Sequence, residues 1–514
     1  MMSPSALDDE NPTARGPVQP AGRRAWIGLA ALTLPCLAVT MDVTVLHLAV
    51  PTLTADLRPS PSQLLWIVDI YGFLLAGLLI TMGNLGDRIG RRRLLTMGAT
   101  AFAGASTLAA LSTSAGTLIA ARAILGVAGA TLAPSTLSLI RNMFPDPGER
   151  TTAISIWGTG FAAGGAIGPL VGGLLLAHFG WSSVFWLPVP VMVLLGLVAR
   201  WLLPEFRDPG ATRLDLTSAA LSIAAVLAII FGLKRLAQDG VTALALASVA
   251  AGLVVGALFV RRQRRSADPL VDLRLFQVPA FSVTIATIMV TVFTIFGLMF
   301  LEAQYFQLVL GLSPLDSGLW MLPSSVVIVA SSLGSSRLAR LASRPTILIG
   351  GSILVAVGFA VIACVPYGGL PALVIGAVIW GVGAGPIGTL GTDLVVGAAP
   401  PERAGAAASL SETGAELGGA LGLAMLGSLG VAIYRLDMSR AALDGAPASA
   451  AQAARETLGA AVAAAHRLPP AGAVVILKAS RAAFTQAFVT AAVTGAVLML
   501  IVAGLMAVVV RRQR

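Results

Sequence analysis

Long apolar runs constrain this chain more than any other feature. Fourteen such runs alternate with short polar segments, and 56% of the residues are hydrophobic whereas only 11% are charged. An α-helix needs about 20 apolar residues to cross the hydrocarbon core of a bilayer. The sequence therefore predicts an all-α membrane protein with fourteen transmembrane helices. We expect them near 26–50, 64–83, 94–112, 115–138, 150–176, 181–203, 214–234, 241–260, 279–302, 316–335, 345–365, 370–394, 405–434 and 481–510.

The basic residues predict how these helices are oriented. In a soluble protein, a net charge of +10 would suggest a nucleic-acid partner. Here the arginines lie between the apolar runs and gather in alternate loops, where positive charge keeps a loop in the cytoplasm. The C-terminal residues 511–514 match the basic N-terminal segment. We therefore expect a multi-pass protein of the bacterial plasma (inner) membrane, with both termini cytoplasmic and no nucleic-acid partner.

The segment between the second and third apolar runs carries the most distinctive motif. It reads Gly-Asn-Leu-Gly-Asp-Arg-Ile-Gly-Arg-Arg-Arg, and its ordered positions are Gly83, Asp87, Arg88, Gly90 and Arg91. The two outer glycines permit a tight turn at each end. The pattern resembles the loop between helices 2 and 3 of the major facilitator superfamily of transporters. That resemblance implies that Asp87 and Arg91 bias one face of the protein towards closure through contacts with neighbouring helix ends.

The same resemblance implies two six-helix bundles, with the two additional helices between them. We expect an N-terminal bundle over 25–204, a linker with helices 7 and 8 over 205–265, and a C-terminal bundle over 266–514. Residues 1–24 are predicted to form a disordered cytoplasmic tail. Residues 435–480 are predicted to form an extracytoplasmic helical hairpin, the alternative being an unstructured linker. A weak second copy of the loop motif, which lacks an aspartate, includes Gly334, Arg337, Arg340 and Arg344.

Arg122 lies in the middle of the fourth apolar run. A charged side chain at that depth costs on the order of 3 kcal/mol or more unless it faces a polar cavity and has a partner. The alternative is a snorkelling side chain, but both helix ends are distant. The surrounding sequence resembles the helix-4 arginine motif of proton-driven members of the superfamily, which implies a role in proton transfer.

Glycines recur at every fourth position of the fifth run and form one stripe along a helix. Such a stripe lets a neighbouring helix approach closely, and a proline within it kinks the helix. A general packing face is the alternative. The Gly-Pro pair with its trailing glycines resembles the antiporter motif of superfamily exporters. The residues concerned are Gly160, Gly164, Gly168, Pro169 and Gly172.

The first two runs narrow the resemblance to one branch. The residues around Asp42 and Asp69 resemble the fourteen-helix drug:proton antiporters, and most closely the exporters of quaternary ammonium compounds, cationic dyes and methyl viologen. Gln304 and Gln307 lie in a segment that also fits this branch. One departure is that residues 317–333 hold no acidic residue, which puts efficient handling of divalent cations in doubt.

Acidic residues within the apolar runs are candidates for proton and cation binding, because burial disfavours the ionised form of a carboxylate. Glu412 and Glu416 are four residues apart and share a helical face, so at least one should hold a proton when no cation is bound. The principal candidates are Asp42, Asp69, Arg122, Glu412 and Glu416. Glu302, Trp157, Gln304 and Gln307 rank lower. For Asp393 and Glu302, the preferred interpretation is a boundary residue that faces lipid headgroups.

These features predict a proton-driven multidrug efflux antiporter that exports lipophilic cations in exchange for protons. The alternative cargo is an endogenous lipid, a siderophore or an antibiotic. The rival class is a membrane-embedded enzyme, against which the sequence lacks an HExxH pattern, paired aspartate clusters and a well-placed histidine. We expect no catalytic activity, no cofactor and no metal. The expected partners are small cationic substrates, protons and the bilayer, and the functional unit is expected to be a monomer.

Overall fold

The computed structural model describes residues 21–59, 61–207, 215–266, 269, 271, 273–398, 404–443 and 446–512, apart from some helical side chains. The described ranges form helices and connecting segments without strands. The helices are α1 (Arg23–Leu57), α2 (Pro61–Ile89), α3 (Arg91–Ala110), α4 (Ala115–Met143), α5 (Pro147–Phe179), α6 (Pro188–Leu202), α7 (Leu216–Asp239), α8 (Ala243–Arg265), α9 (Pro279–Gln304), α10 (Pro314–Leu341), α11 (Arg344–Ile362), α12 (Val365–Gly397), α13 (Ala404–Arg440), α14 (Ala448–Glu456), α15 (Leu458–Ala465) and α16 (Pro470–Arg512).

Helices occupy all fourteen predicted apolar segments. Fewer than fourteen of these helices, however, meet the length and hydropathy that a membrane span requires. Eleven helices in the described ranges are long and apolar enough to span a bilayer. Within α2, the segments Ile70–Leu79 and Thr81–Ile89 meet at a bend of 56° and together make a twelfth. The apolar part of α7, Thr217–Leu233, is shorter. A total of fourteen therefore requires α3 and α7 to cross as well, and it stays a prediction.

Capping residues set where many of these helices begin. Side-chain oxygens before the first turn accept hydrogen bonds from backbone N–H groups that would otherwise have no helical partner. Proline in the first turn reinforces several of the starts, because it needs no such partner. The capping side chains are Ser114, Asp146, Asp215, Thr242 and Ser313.

The predicted turn at Gly83 is wrong, whereas a turn does occur at Gly90. α2 continues through Gly83, and its bend lies three residues earlier. Gly90 has φ 109°, a conformation that favours glycine. A Cβ atom there would lie 2.5 Å from Glu205 Oε1, so the end of the Glu205 side chain would have to move to accommodate it.

The helices pack as two groups. In the first group, α1 lies against α5, α2 against α4, and α3 against α4 and α6. In the second, α9 lies against α13 and α16, and α11 against α12 and α16. The groups meet where α5 contacts α10 and where α13 contacts α2 and α4. This seam contains the candidate site.

α7 and α8 form a hairpin beside both groups, and α7 contacts α2 and α13. Gly232 and Gly252 allow the two helices to touch: a Cβ atom on Gly252 would lie 2.7 Å from Ile229 Cγ1. At the base of the hairpin, Arg262 donates to both carboxylate oxygens of Asp215 at 2.9 Å. This guanidinium holds the pKa of Asp215 well below its usual range. The ionised pair therefore fixes the start of α7 to the end of α8.

The predicted hairpin over 435–480 is shorter than that range, because α13 continues to Arg440 and α16 begins at Pro470. Two short helices, α14 and α15, lie between them. Tyr434 on α13 donates a hydrogen bond of 2.7 Å to the carbonyl of Ala454 on α14. The predicted tail, residues 1–24, lies mostly outside the described residues, which begin at 21.

Candidate transport site

A buried ion pair joins α1 to α4. Arg122 Nη1 donates to Asp42 Oδ2, and both side chains are only 1% exposed. Arg122 Nε also donates to the carbonyl of Ile67 on α2 at 3.2 Å. The arginine thus has the partner that its depth requires, and it ties three helices of the first group together.

Tyr71 on α2 extends this cluster towards the seam. Its ring centroid lies 4.6 Å from Arg122 Cζ, which is close enough for a cation–π contact. Its hydroxyl is buried, and no hydrogen-bond partner for it occurs among the described residues. Buried hydroxyls are usually paired, so this one is available for a water molecule or a transferred proton. Sequence patterns do not identify Tyr71 as a site residue, because nothing in the sequence shows that Arg122 lies over its ring.

The two glutamates of α13 face the first group across the seam. Glu412 is buried and Glu416 is half-buried. Glu416 borders a narrow gap of about 10 Å³ whose other walls belong to α1, α2, α4 and α5. Those walls include Cys36, Leu75, Leu132 and Phe161. The gap has about the volume that one water molecule needs, so it must widen before a drug-sized cation can reach Glu416.

Trp157 on α5 lies near this gap. Its indole Nε1 donates to Thr136 Oγ1 on α4 at 3.0 Å, and its ring meets that of Phe161 edge-on at 5.0 Å. Since Phe161 borders the gap, Trp157 stands directly behind an aromatic wall.

Three lower-ranked residues lie elsewhere. α9 and α13 run in the same direction, with Gly418 against Met289 and Gly430 against Leu301. Glu302 therefore lies level with a point about 22 Å beyond Glu416 along α13, at 1.5 Å per residue. Glu302 is buried, so it does not face headgroups as expected. Gln304 donates to the carbonyl of Phe300, and Gln307 lies in a π-helical turn after α9. The side chains of Asp69 and Pro169 lie outside the described part of the chain.

The glycine stripe of α5 is pressed against α1. A Cβ atom on Gly160 would lie 2.7 Å from the carbonyl oxygen of Thr33, and one on Gly164 would lie 2.5 Å from that of Leu37. The same contact continues through Gly168 to Thr44 and through Gly172 to Val45. Any side chain at these positions would therefore separate the two helices. α1 carries Asp42, so the stripe also determines where that carboxylate lies.

The loop motif is held against the end of α6. Arg91 is fully buried and donates from Nε to Asp87 Oδ1 at 2.8 Å, while its backbone N–H donates to the carbonyl of Phe206. Arg207 donates to the carbonyl of Arg88 at 2.7 Å. The Asp87–Arg91 pair thus organises the turn from α2 to α3 around the segment that follows α6.

A charged cluster that sequence reasoning missed connects the two groups of helices. Asp393 on α12 is 4% exposed, so it does not face headgroups as expected. Its Oδ2 lies 2.8 Å from Arg344 Nη2 on α11 and accepts a hydrogen bond of 3.4 Å from Thr151 on α5. Its Oδ1 lies 4.0 Å from Arg150 Nε on α5. The available signal was the second loop motif, whose arginines lack a local aspartate.

Comparison with known proteins agrees with this architecture. A profile of the Major Facilitator Superfamily matches residues 34–423. The chain belongs to the major facilitator superfamily. It is 44% identical over 490 residues to the multidrug efflux pump LfrA of Mycolicibacterium smegmatis, an alignment that covers 95% of this chain and 97% of LfrA. It is 35% identical to the methyl viologen resistance protein SmvA of Salmonella typhimurium, over 96% of this chain and 99% of SmvA.

More distant relatives in the superfamily are named as antibiotic exporters. The tetracenomycin C resistance and export protein of Streptomyces glaucescens is 31% identical over 83% of this chain and 80% of its own length. Among solved structures, the human organic anion transporter MFSD10 matches 95% of this chain and all of its own, with a TM-score of 0.62 at 17% identity. The last similarity concerns the fold alone. The superfamily consists of transporters, so the protein is a multi-pass membrane transporter and not an enzyme.

Proposed function

We propose that the protein exports lipophilic cations from the bacterial cytoplasm in exchange for protons. The observation that carries the proposal is the placement of Glu412 and Glu416 one turn apart on α13, at the seam between the two groups of helices. The names of LfrA and SmvA support a drug as the cargo, and methyl viologen is an organic cation.

The chemistry follows from burial. An ionised carboxylate away from water is costly unless a positive charge accompanies it. A proton removes the charge and a bound cation compensates it, so the two compete for the same group. Antiport results when the carrier changes the side to which the seam opens only while a proton or a cation is bound. The empty carrier, with its carboxylates ionised, must not make this change.

The Asp42–Arg122 pair provides a second place for coupling. Protonation of Asp42 would end its attraction for Arg122 and would leave the arginine held only by Ile67 and the Tyr71 ring. The Tyr71 hydroxyl lies 3.3 Å from where a Cβ atom on Gly129 would be, and Gly129 borders the gap beside Glu416. We propose that Tyr71 and intervening water link the ion pair to the glutamates.

Transport then requires the two groups to rock about the seam. In the proposed topology all fourteen helices cross the membrane, both termini are cytoplasmic and the monomer is the working unit. Exporting one monovalent cation against an inside-negative potential of 100 mV costs about 2.3 kcal/mol. Exchange at the glutamates accounts for one proton for each cation. A second proton that enters by way of Asp42 would make the exchange electrogenic, so that the potential drives export.

We further propose that the Asp393 cluster closes the cytoplasmic side of the seam. Asp393→Asn removes the charge that attracts Arg150 across the two groups, and we expect a shift of about tenfold towards the cytoplasm-open conformation, or about 1.4 kcal/mol. Distances between spin labels on the cytoplasmic ends of α5 and α12, measured in protein freed of Cys36 and Cys364, would show the shift. Asp316→Asn, at an exposed position on α10, is the matched control. Identical distance distributions for Asp393→Asn and the wild type would rule out this role.

A growth-inhibition panel tests the proposed cargo. In a host that lacks its own exporters, expression should raise the inhibitory concentration of monovalent quaternary ammonium compounds and cationic dyes several-fold. Neutral antibiotics of similar hydrophobicity should show no change, and protection against dications should be weaker because residues 317–333 of α10 hold no acidic residue. Equal protection against neutral antibiotics would favour the second candidate, an antibiotic exporter, which the Streptomyces relatives support.

A further inference from the structure

An open groove runs along α8, away from the transport seam. It encloses about 640 Å³ and is bordered on one side by α7. Its apolar wall and floor comprise Ile229, Gly252, Leu253, Gly256, Ala257 and Val260. Glycine and alanine leave the groove open, because larger side chains would fill it. Leu253 is 60% exposed, so the groove faces the lipid and not the protein interior.

The groove ends at three arginines. Arg261, Arg264 and Arg265 are exposed and line its end. Within the described part of the chain, no ion pair involves any of the three. The intervening residues point elsewhere: Arg262 pairs with Asp215, and Gln263 donates to Ser218 Oγ at 2.8 Å. The hairpin base therefore neutralises one arginine of α8 and leaves three positive charges beside the groove.

The dimensions match one leaflet of a membrane. From Gly252 to Arg265 the helix rises about 20 Å at 1.5 Å per residue. Half of the hydrocarbon core of a bilayer is about 15 Å thick. A lipid whose headgroup lies at the arginines would thus have its acyl chain along the groove.

We propose that this groove binds an anionic phospholipid, with the phosphate at Arg261, Arg264 and Arg265 and an acyl chain between α7 and α8. Basic positions at the cytoplasmic end of membrane helices attract anionic headgroups. The same charges repel the lipophilic cations of the proposed transport cycle, so the groove is not an entry path for them. The inference depends on the groove and its charges, not on the cargo.

Native mass spectrometry of the purified full chain tests the proposal with phosphatidylglycerol and with phosphatidylcholine. We expect the wild type to retain phosphatidylglycerol at least tenfold better than phosphatidylcholine. Arg261→Gln/Arg264→Gln/Arg265→Gln should weaken phosphatidylglycerol binding by roughly 100-fold, given about 1 kcal/mol for each of the three arginines near a headgroup. Ala257→Trp keeps the charges but fills the groove, and it should reduce retention similarly.

Arg511→Gln/Arg512→Gln, which removes two positive charges from the exposed end of α16, is the control and should bind as the wild type does. Circular dichroism identifies any variant that has lost its helices, and the Ala257→Trp variant tests the site without altering charge. Equal retention of both lipids by the wild type, or undiminished phosphatidylglycerol binding by either groove variant, would overturn the proposal. Displacement of the lipid by millimolar inorganic phosphate would also overturn it, because it would show an anion site without a role for the acyl chain.

Discussion

Replacing Asp42 with asparagine is expected to abolish energised export. The substitution leaves Arg122 as a buried cation without its carboxylate, and breaking a buried pair in this way typically costs about 3–5 kcal/mol. If that loss falls on the transport cycle, export slows by roughly 100-fold or more. Efflux of ethidium from energised cells, measured at equal expression, gives the rate.

Two further variants separate transport from folding. Asp42→Asn/Arg122→Gln removes both charges, so it should restore expression and thermal stability relative to the single variant but not export. Asp316→Asn removes an exposed acidic charge and should export normally. Efflux by Asp42→Asn at the wild-type rate would show that the ion pair is structural and that coupling lies elsewhere.

Sequence patterns predicted the helices and the candidate residues of this transporter better than they predicted which residues contact each other. The apolar runs gave the helices because each must hide its backbone polar groups from lipid. Arg122 and Asp42 were both identified as candidates for the same reason, since a charge at such depth needs compensation. Their pairing could not be predicted, because 80 residues separate them and only the packing of α1 on α4 brings them together.

For Asp393, the predicted environment itself was wrong. Its position near a helix end favoured a headgroup-facing residue, but its partners come from α5 and α11, which no local pattern connects. The turn expected at Gly83 is absent for a different reason. A glycine permits a turn without requiring one, and α2 continues through this residue. At Gly90, by contrast, the positive φ strongly favours glycine.

The glutamates of α13 should exchange a proton for a cation. Their spacing of one helical turn in a buried seam means that two negative charges would repel each other strongly, so the empty carrier should hold a proton. A cation that binds between the two glutamates stabilises both of them in the ionised form, so the bound proton is released. Glu302 is a suitable control, because it is a buried glutamate at a level about 22 Å away along the helices.

The most direct test is proton release from purified protein in weakly buffered detergent solution when a monovalent quaternary ammonium compound is added. We predict release of about one proton for each cation bound by the wild type and by Glu302→Gln, because these proteins keep the coupled pair intact. Glu416→Gln should reduce the release, and Glu412→Gln/Glu416→Gln should abolish it while weakening cation binding. Binding of the cation with unchanged affinity and no proton release, or undiminished release by the double variant, would contradict exchange at these glutamates.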